Sequence, residues 1–282
     1  MYTADMGTLF IVGTPIGNLE DLTYRSVRVL REVDLIAAED TRVTRKLLNH
    51  LDIHVPLISY HEHNYKERTQ ELLLKLQDGT VALVTDAGMP CISDPGSDLI
   101  SKVVEHGYSL ELVPGVSAVT TAVAGSGFPA DNFYFLGFLS RKKKLRQEQL
   151  EAVKRLTTSI VIFESPHRVK KTLADISLIL GNCRMSVCRE MTKLHEEIFM
   201  GTVNEAIDHF AAPQGEFVLV IQNDGTEHRV EEVRDLDSIK TELTSLRKSG
   251  YKAKDAVGMM VLSTGLPRKV LYDLWIASSE TG

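Results

Sequence analysis

The chain has 282 residues, 43% of them hydrophobic and 25% charged, with a formal net charge of −6. It is too apolar for a disordered chain and longer than one typical domain, and no stretch approaches the roughly 18 uncharged apolar residues that a membrane span needs. Residues Met1 to Gly7 lack the basic start and apolar run of a signal peptide, so the expected location is cytoplasmic.

Short apolar runs alternate with helix-period segments from the start: TLFIV at Thr8 to Val12, DLIAA at Asp34 to Ala38, VALVT at Val81 to Thr85 and SLELV at Ser109 to Val113. Strands alternating with helices predict a parallel sheet covered on both faces. Turn-formers crowd Gly125 to Asn132, which marks a domain junction. Beyond it the pattern predicts a strand at Phe133 to Phe138, a charged helix to about Leu156, a strand at Ser159 to Phe163 and a helix from His167 to Leu180. Three more strands are expected at Arg184 to Arg189, His195 to Thr202 and Glu216 to Ile221. The first two of these are joined by only a few residues, which implies antiparallel pairing and a mixed second sheet. A polar run from Asn223 to Asp235 then leads to three apolar-periodic segments, Ile239 to Leu246, Ala256 to Leu262 and Val270 to Ile276, read as a small helical module. The expected fold class is α/β: a parallel-sheet domain (1–126), a mixed-sheet domain (127–224) and a linker with a helical module (225–282).

Three loops at strand ends carry the candidate chemistry. GTPIGN, Gly13 to Asn18, follows the first strand, where open α/β sheets place ligands. It lacks the Lys-Ser/Thr pair of a P-loop and does not match GxGxxG, so it is either a non-nucleotide ligand loop or a tight strand-to-helix turn. TDAGMPCISDPG, Thr85 to Gly96, presents Asp86 at a strand's carboxyl end, either to accept hydrogen bonds from a ligand or to cap a turn. Asp94, before Pro95, has the position of a helix N-cap. VPGVSAVTTA, Val113 to Ala122, enters a helix of small residues that admits a flat ligand or close helix packing.

In this order GTPIGN, TDAGMP and PGVSA resemble the tetrapyrrole methylase superfamily. AAEDTRVTRKLL (Ala37 to Leu48), SYHEHN (Ser59 to Asn64), FLGFLSRKKK (Phe135 to Lys144), ESPHR (Glu164 to Arg168) and REMTKLHEE (Arg189 to Glu197) resemble its ribosomal small-subunit cytidine 2′-O-methyltransferase members, the RsmI family. The resemblance covers residues 8 to about 222. It implies S-adenosyl-L-methionine held in a cleft between the two α/β domains, methyl transfer to a ribose hydroxyl of 16S rRNA in the small ribosomal subunit, and a homodimer. Carried over residue by residue, it implies cofactor contacts at Ile16, Gly17, Asp86, Met89, Ser117, Ala118, Phe163 and Glu216. Where the family commonly has Pro after FLGFL, this chain has Ser140, which affects the local turn.

A ribose hydroxyl is a poor nucleophile while protonated, so a carboxylate or imidazole within reach is expected to take its proton. The candidates are Glu39, Asp40, His61, His63, Asp94, Glu164 and His167; Glu164 and Arg168 are assigned to arranging the ribose rather than to folding. Ser165 and Pro166 also fit an N-cap and first helical residue. His61 and His63 lack a third ligand at diagnostic spacing, and Cys91, Cys183 and Cys188 have no zinc-site pattern, so no metal is expected. Net acidity requires that RNA binding come from local patches. The run RKKKLR, Arg141 to Arg146, is one, with Arg141, Lys142, Lys143 and Lys144 expected on phosphates. Arg42 and Arg45, with Lys46, form either a second such patch or a solvated helix face. Two rival readings are a corrin-type tetrapyrrole methyltransferase and a non-enzymatic RNA-binding protein using the segment LPRKVLYDLW as the third helix of a helix-turn-helix-like unit.

Overall fold

The computed structural model describes residues 7–225, 236–264 and 268–277; the expected linker at 226–235 and the start of LPRKVLYDLW at 266–267 lie outside the described residues. The chain divides into two compact units, Met1–Glu227 and His228–Gly282. Both sheets belong to the first.

The first sheet has the order β3-β2-β4-β1-β5, all parallel, built from β1 (Thr8–Val12), β2 (Leu35–Ala38), β3 (Leu57–Ser59), β4 (Thr80–Val84) and β5 (Ser109–Val113). Its helices are α1 (Tyr24–Glu32), α2 (Thr41–His50), α3 (Tyr65–Lys75), α4 (Ser97–Glu105) and α5 (Ala118–Gly125). Alternate strand residues feed different cores. Leu9, Ile11, Ala37, Val81 and Leu83 pack with Leu72, Leu76, Leu99 and Val103 of the α3 and α4 side. Val12, Ile36, Ala38, Ala82 and Val84 pack with Val29, Leu30 and Leu48 of α1 and α2. Burial on both faces explains why the strands read as unbroken apolar runs. The two edge strands differ: β5, SLELV, is partly exposed and alternates in polarity, and β3, three half-buried residues, is too short for the periodicity to predict.

The second sheet has the order β6-β7-β10-β8-β9, from β6 (Phe133–Phe138), β7 (Thr157–Glu164), β8 (Arg184–Arg189), β9 (Glu197–Thr202) and β10 (Phe217–Asp224). Only β6 and β7 pair in parallel, through the crossover helix α6 (Lys143–Val153); the other pairs are antiparallel. One face packs on α6, α7 (Val169–Leu180) and α8 (Val203–His209). On its other face Val161, Val218 and Val220 pack against Val119, Ala122 and Val123 of α5 and against Ile16. Helix α5 therefore joins the two sheets, and the β1 and β5 loops beside it are held against the second sheet.

Three local expectations are corrected. Helix α7 has Arg168 as its N-cap and starts at Val169, so Ser165 and Pro166 form a turn ahead of it. The N-cap of α4 is Gly96 at φ 147°, not Asp94, whose carboxylate is engaged by Thr85 instead. Arg146 is not part of an RNA-facing run: it is 6% exposed and its guanidinium meets the buried carboxylate of Asp175 at 2.6 Å, joining α6 to α7.

The second unit holds α9 (Leu236–Lys248), α10 (Ala253–Thr264) and α11 (Arg268–Ala277) around Ile239, Leu243, Val257, Met260, Leu271 and Trp275. The Arg247 guanidinium lies 4.3 Å from the centre of the Trp275 ring and donates to its carbonyl at 2.8 Å. No helix among the described residues is long and apolar enough to cross a membrane.

Candidate functional site

The carboxyl ends of β1, β4 and β5 converge because their loops are tied to one another. Thr14 N donates to Gly88 O at 2.9 Å, Gly88 N returns a bond to Thr14 O at 3.2 Å, and Thr14 Oγ1 donates to Thr85 O at 3.1 Å. A side chain at Gly13 would come within 2.7 Å of Gly115 Cα, so the GTPIGN and PGVSA loops touch backbone to backbone. Only glycine permits this approach. The loop from Gly88 to Gly96 carries Cys91 and Ser93 at positive φ, 70° and 67°, a strained conformation of the kind found where a loop shapes a site.

Between the two sheets these loops enclose a cavity of about 560 Å³. Ile16, Asp86, Met89, Ser117 and Ala118 line it from the first sheet, and Phe163 and Glu216 from the second. Gly17 lines an adjoining cavity of about 460 Å³ that shares Ile16, Asp86 and Glu216. The eight residues expected at the cofactor thus fall around two contiguous cavities. Of the expected catalytic groups, Asp94 and Glu164 line the larger cavity, and Asp40, His61 and Arg168 line neither.

Asp40 caps α2, accepting from Arg42 N at 2.8 Å, and pairs with the Arg42 guanidinium at 2.6 Å. These contacts hold its carboxyl down at about 2, which makes it a weak proton acceptor. Arg42 is correspondingly committed to Asp40, although its side chain is exposed, as is Arg45. His61 takes part in a turn: its backbone N–H donates to Asn64 and its Nδ1 accepts from His63 N at 3.3 Å. Among the described residues no group of three or more His, Cys, Asp or Glu side chains is arranged to hold a metal ion.

Glu164, 2% exposed, is fully engaged. It accepts from Ser165 N at 2.8 Å and Thr172 Oγ1 at 2.6 Å, and Arg168 Nε lies 3.3 Å away. Arg168 also donates to the carbonyl of Leu139 beyond β6. The pair thus fastens the β7–α7 corner to the end of β6, a structural role beside the expected one of arranging the ribose, while Glu164 also lines the larger cavity. Phe138, which lines the cavity, is followed by the exposed residues Arg141, Lys142, Lys143 and Lys144.

Glu39, Asp86, Asp94, Glu164 and Glu216 line the larger cavity, and its described lining contains no Lys, Arg or His. Burial pushes Asp94 from 3.8 up to about 6, with the charges of Glu39 and Asp86 adding to the effect. Partial desolvation also raises Asp86, against the backbone hydrogen bond it accepts from Asp40 at 3.0 Å. At the start of α5 Ser117 makes no side-chain cap bond, which leaves the first N–H groups of that helix facing the cavity for an acceptor. Cys188, Met191, Phe138 and Val218 also line it and were not singled out by sequence reasoning. On strands, Cys188 and Val218 look like ordinary core; only FLGF and REM, which contain Phe138 and Met191, offered a signal.

A family model described as Tetrapyrrole (Corrin/Porphyrin) Methylases matches residues 8–207, so two α/β halves with a cleft between them define a methylase of that class. The fold agrees: a uroporphyrin-III C-methyltransferase from Thermus thermophilus, solved in complex with S-adenyl homocysteine, superposes with a TM-score of 0.55 at 17% identity, over 76% of this chain and 97% of that one. Proteins named Ribosomal RNA small subunit methyltransferase I are 44% identical in Halalkalibacterium halodurans, over 96% of this chain and 95% of that one, and 45% identical in Synechocystis sp., over 98% and 100%. Within the class, the chain belongs to the ribosomal RNA small subunit methyltransferase I family. The readings as a corrin-type methyltransferase and as a non-enzymatic RNA-binding protein are set aside.

Proposed function

We propose that the chain binds S-adenosyl-L-methionine in the 560 Å³ cavity and methylates the 2′-hydroxyl of a cytidine ribose in 16S rRNA of the small subunit. The observation that carries the cofactor reading is the cavity's charge: Glu164 and Glu216 are paired with Arg168 and Lys193 outside its lining, but Glu39, Asp86 and Asp94 face it with no cationic side chain among the lining residues, which favours a ligand bearing a sulfonium and an ammonium. The open N–H groups at Ser117 and Ala118 suit the ligand's carboxylate. Apolar Ile16, Met89, Phe163 and Val218 suit its adenosine. When bound, the sulfonium supplies an already activated methyl group, so catalysis reduces to orientation and removal of one proton.

Asp94 takes that proton. Ionised above about pH 6, it accepts the ribose hydroxyl's proton as the new O–C bond forms and the S–C bond breaks. Arg141, Lys142, Lys143 and Lys144, with Arg42 and Arg45 on α2, meet phosphates of the RNA; the four in the first group carry no buried ion pair, unlike Arg146. A homodimer in the cytoplasm completes this reading, supported by the family resemblance.

Incubation of the full chain with labelled S-adenosylmethionine and, separately, naked ribosomal RNA, unmodified small subunits and a tetrapyrrole tests it. Label in the small subunits alone or in the RNA supports the reading; label in the tetrapyrrole, or in nothing, overturns it. A cofactor that fails to raise Tm would remove the cavity assignment.

A further inference from the structure

The two contiguous cavities differ in charge. Where the larger holds five carboxylates, the 460 Å³ one sets Lys46 and Lys193 against Asp86 and Glu216. Among charged side chains, an RNA strand entering the first meets only carboxylates; in the second it meets two of each sign. Ile16, Thr85, Asp86, Ala87 and Glu216 line both, so a group in one cavity lies next to a group in the other.

Thr44, on α2, lines the second cavity at 3% exposure, and its Oγ1 has no hydrogen-bond partner among the described residues. A buried hydroxyl without a partner destabilises the protein that carries it, and a ligand seated in the cavity that Thr44 lines would relieve that cost. Around it Pro15, Leu19, Val43 and Leu47 form apolar walls, with Leu19 and Val43 each about two-fifths exposed at 42% and 40%. Lys46 is exposed on the same helix, while Lys193 is held by Glu190 and Glu216 at 2.9 and 2.8 Å.

We infer that this second cavity receives the nucleotide to be methylated: its base lies between the apolar walls, a polar edge meets Thr44 Oγ1, and the adjoining phosphate meets Lys46. The chemical class is a ribonucleotide within an RNA strand, swung out of its stack so that the ribose reaches past the shared rim into the larger cavity, which Asp94 lines. The inference rests on the RNA reading above and adds the place where the acceptor sits. Donor and acceptor are then held side by side, the arrangement from which orientation gains its rate advantage.

Thr44→Val keeps the side-chain shape and removes only the unpartnered hydroxyl, and Val43→Trp fills the space between the walls. The parent chain is assayed first; if it does not label unmodified small subunits, the RNA reading itself fails and this inference with it. With an active parent, Thr44→Val is expected to raise Tm and keep S-adenosylmethionine affinity while raising KM for small subunits by about 5- to 10-fold, the loss of one hydrogen bond. Val43→Trp is expected to lower kcat/KM by more than about 10-fold with unchanged cofactor affinity. Should the tryptophan prevent folding, Lys46→Gln on the exposed face serves, with a raised KM expected. Cofactor affinity falling in step with transfer would assign the cavity to the cofactor, and parental transfer in all folded variants would remove it from the site; either result overturns the inference.

Discussion

Asp94 and Glu39 share a single hydroxyl: Thr85 Oγ1 lies 2.7 Å from Asp94 Oδ2 and 2.6 Å from Glu39 Oε2. A hydroxyl has one proton to donate, so both short contacts are satisfied only when one carboxyl brings a proton of its own. The burial that raises Asp94 to about 6 acts in the same direction. The two acids, with Asp86 beside them, sit at the wall of the larger cavity.

This sets the pH dependence. Transfer is expected to fall about tenfold per pH unit below about 6, as Asp94 becomes protonated, and to level off above it. The sign for stability is opposite: a carboxyl raised from 3.8 to about 6 on folding contributes stability that is complete below the unfolded value and lost as pH rises through 6. Asp94→Asn should therefore remove the acidic limb of the rate profile along with most activity, yet raise Tm at pH 8. An Asn variant with the parental profile would return the proton to another group.

Glu164→Gln is expected to destabilise the fold by about 2–3 kcal/mol, because both oxygens of a fully buried carboxylate are in use and the amide nitrogen cannot accept. Arg168→Ala strands the same carboxylate and should act similarly. Denaturant unfolding reads this directly, and parental stability in both variants would leave arranging the ribose as their role.

The basic run divides sharply. Arg146→Ala should cost roughly 3–5 kcal/mol of stability, since it leaves Asp175 buried and unpaired. Neutralising Lys142, Lys143 and Lys144 together should leave Tm near parental and instead weaken RNA binding, flattening its log–log salt dependence by about 0.7–0.9 for each lost phosphate contact. An unchanged slope would make these lysines a solvated helix end.

Gly115→Ala is expected to abolish cofactor binding, because the added methyl would stand 2.8 Å from Gly13 Cα and separate the two loops. Calorimetric titration with S-adenosylmethionine checks it; parental affinity would mean that the loops can part without harm to the site.

Most of the architecture is legible where one physical rule dominates. Strands β1, β5 and β8 run between their expected ends, β1 because a continuous apolar run has few alternatives and β5 and β8 because apolar residues alternate with polar ones. The edge strand β3 escapes because three half-buried residues give no periodicity. Ile16, Asp86, Met89, Ser117 and Ala118, carried over from the family resemblance, lie in strand-end loops and line the cavity, whereas Cys188 and Val218 sit within strands, and only the packing of the sheets decides that they line it too. Asp94 and Arg146 fail for a shared reason. Local sequence fits a cap and a charge run, but the winning partners, Thr85 and Asp175, are brought in by tertiary structure.

The most direct test of the account is the chemical identity of the product. Small subunits labelled by the full chain from S-adenosylmethionine are stripped of protein, and the 16S rRNA is digested to nucleosides and separated by mass. The account predicts the label in 2′-O-methylcytidine, at a position resistant to alkaline cleavage because the ribose hydroxyl is blocked. Label on a base, or on no nucleoside at all, would contradict it.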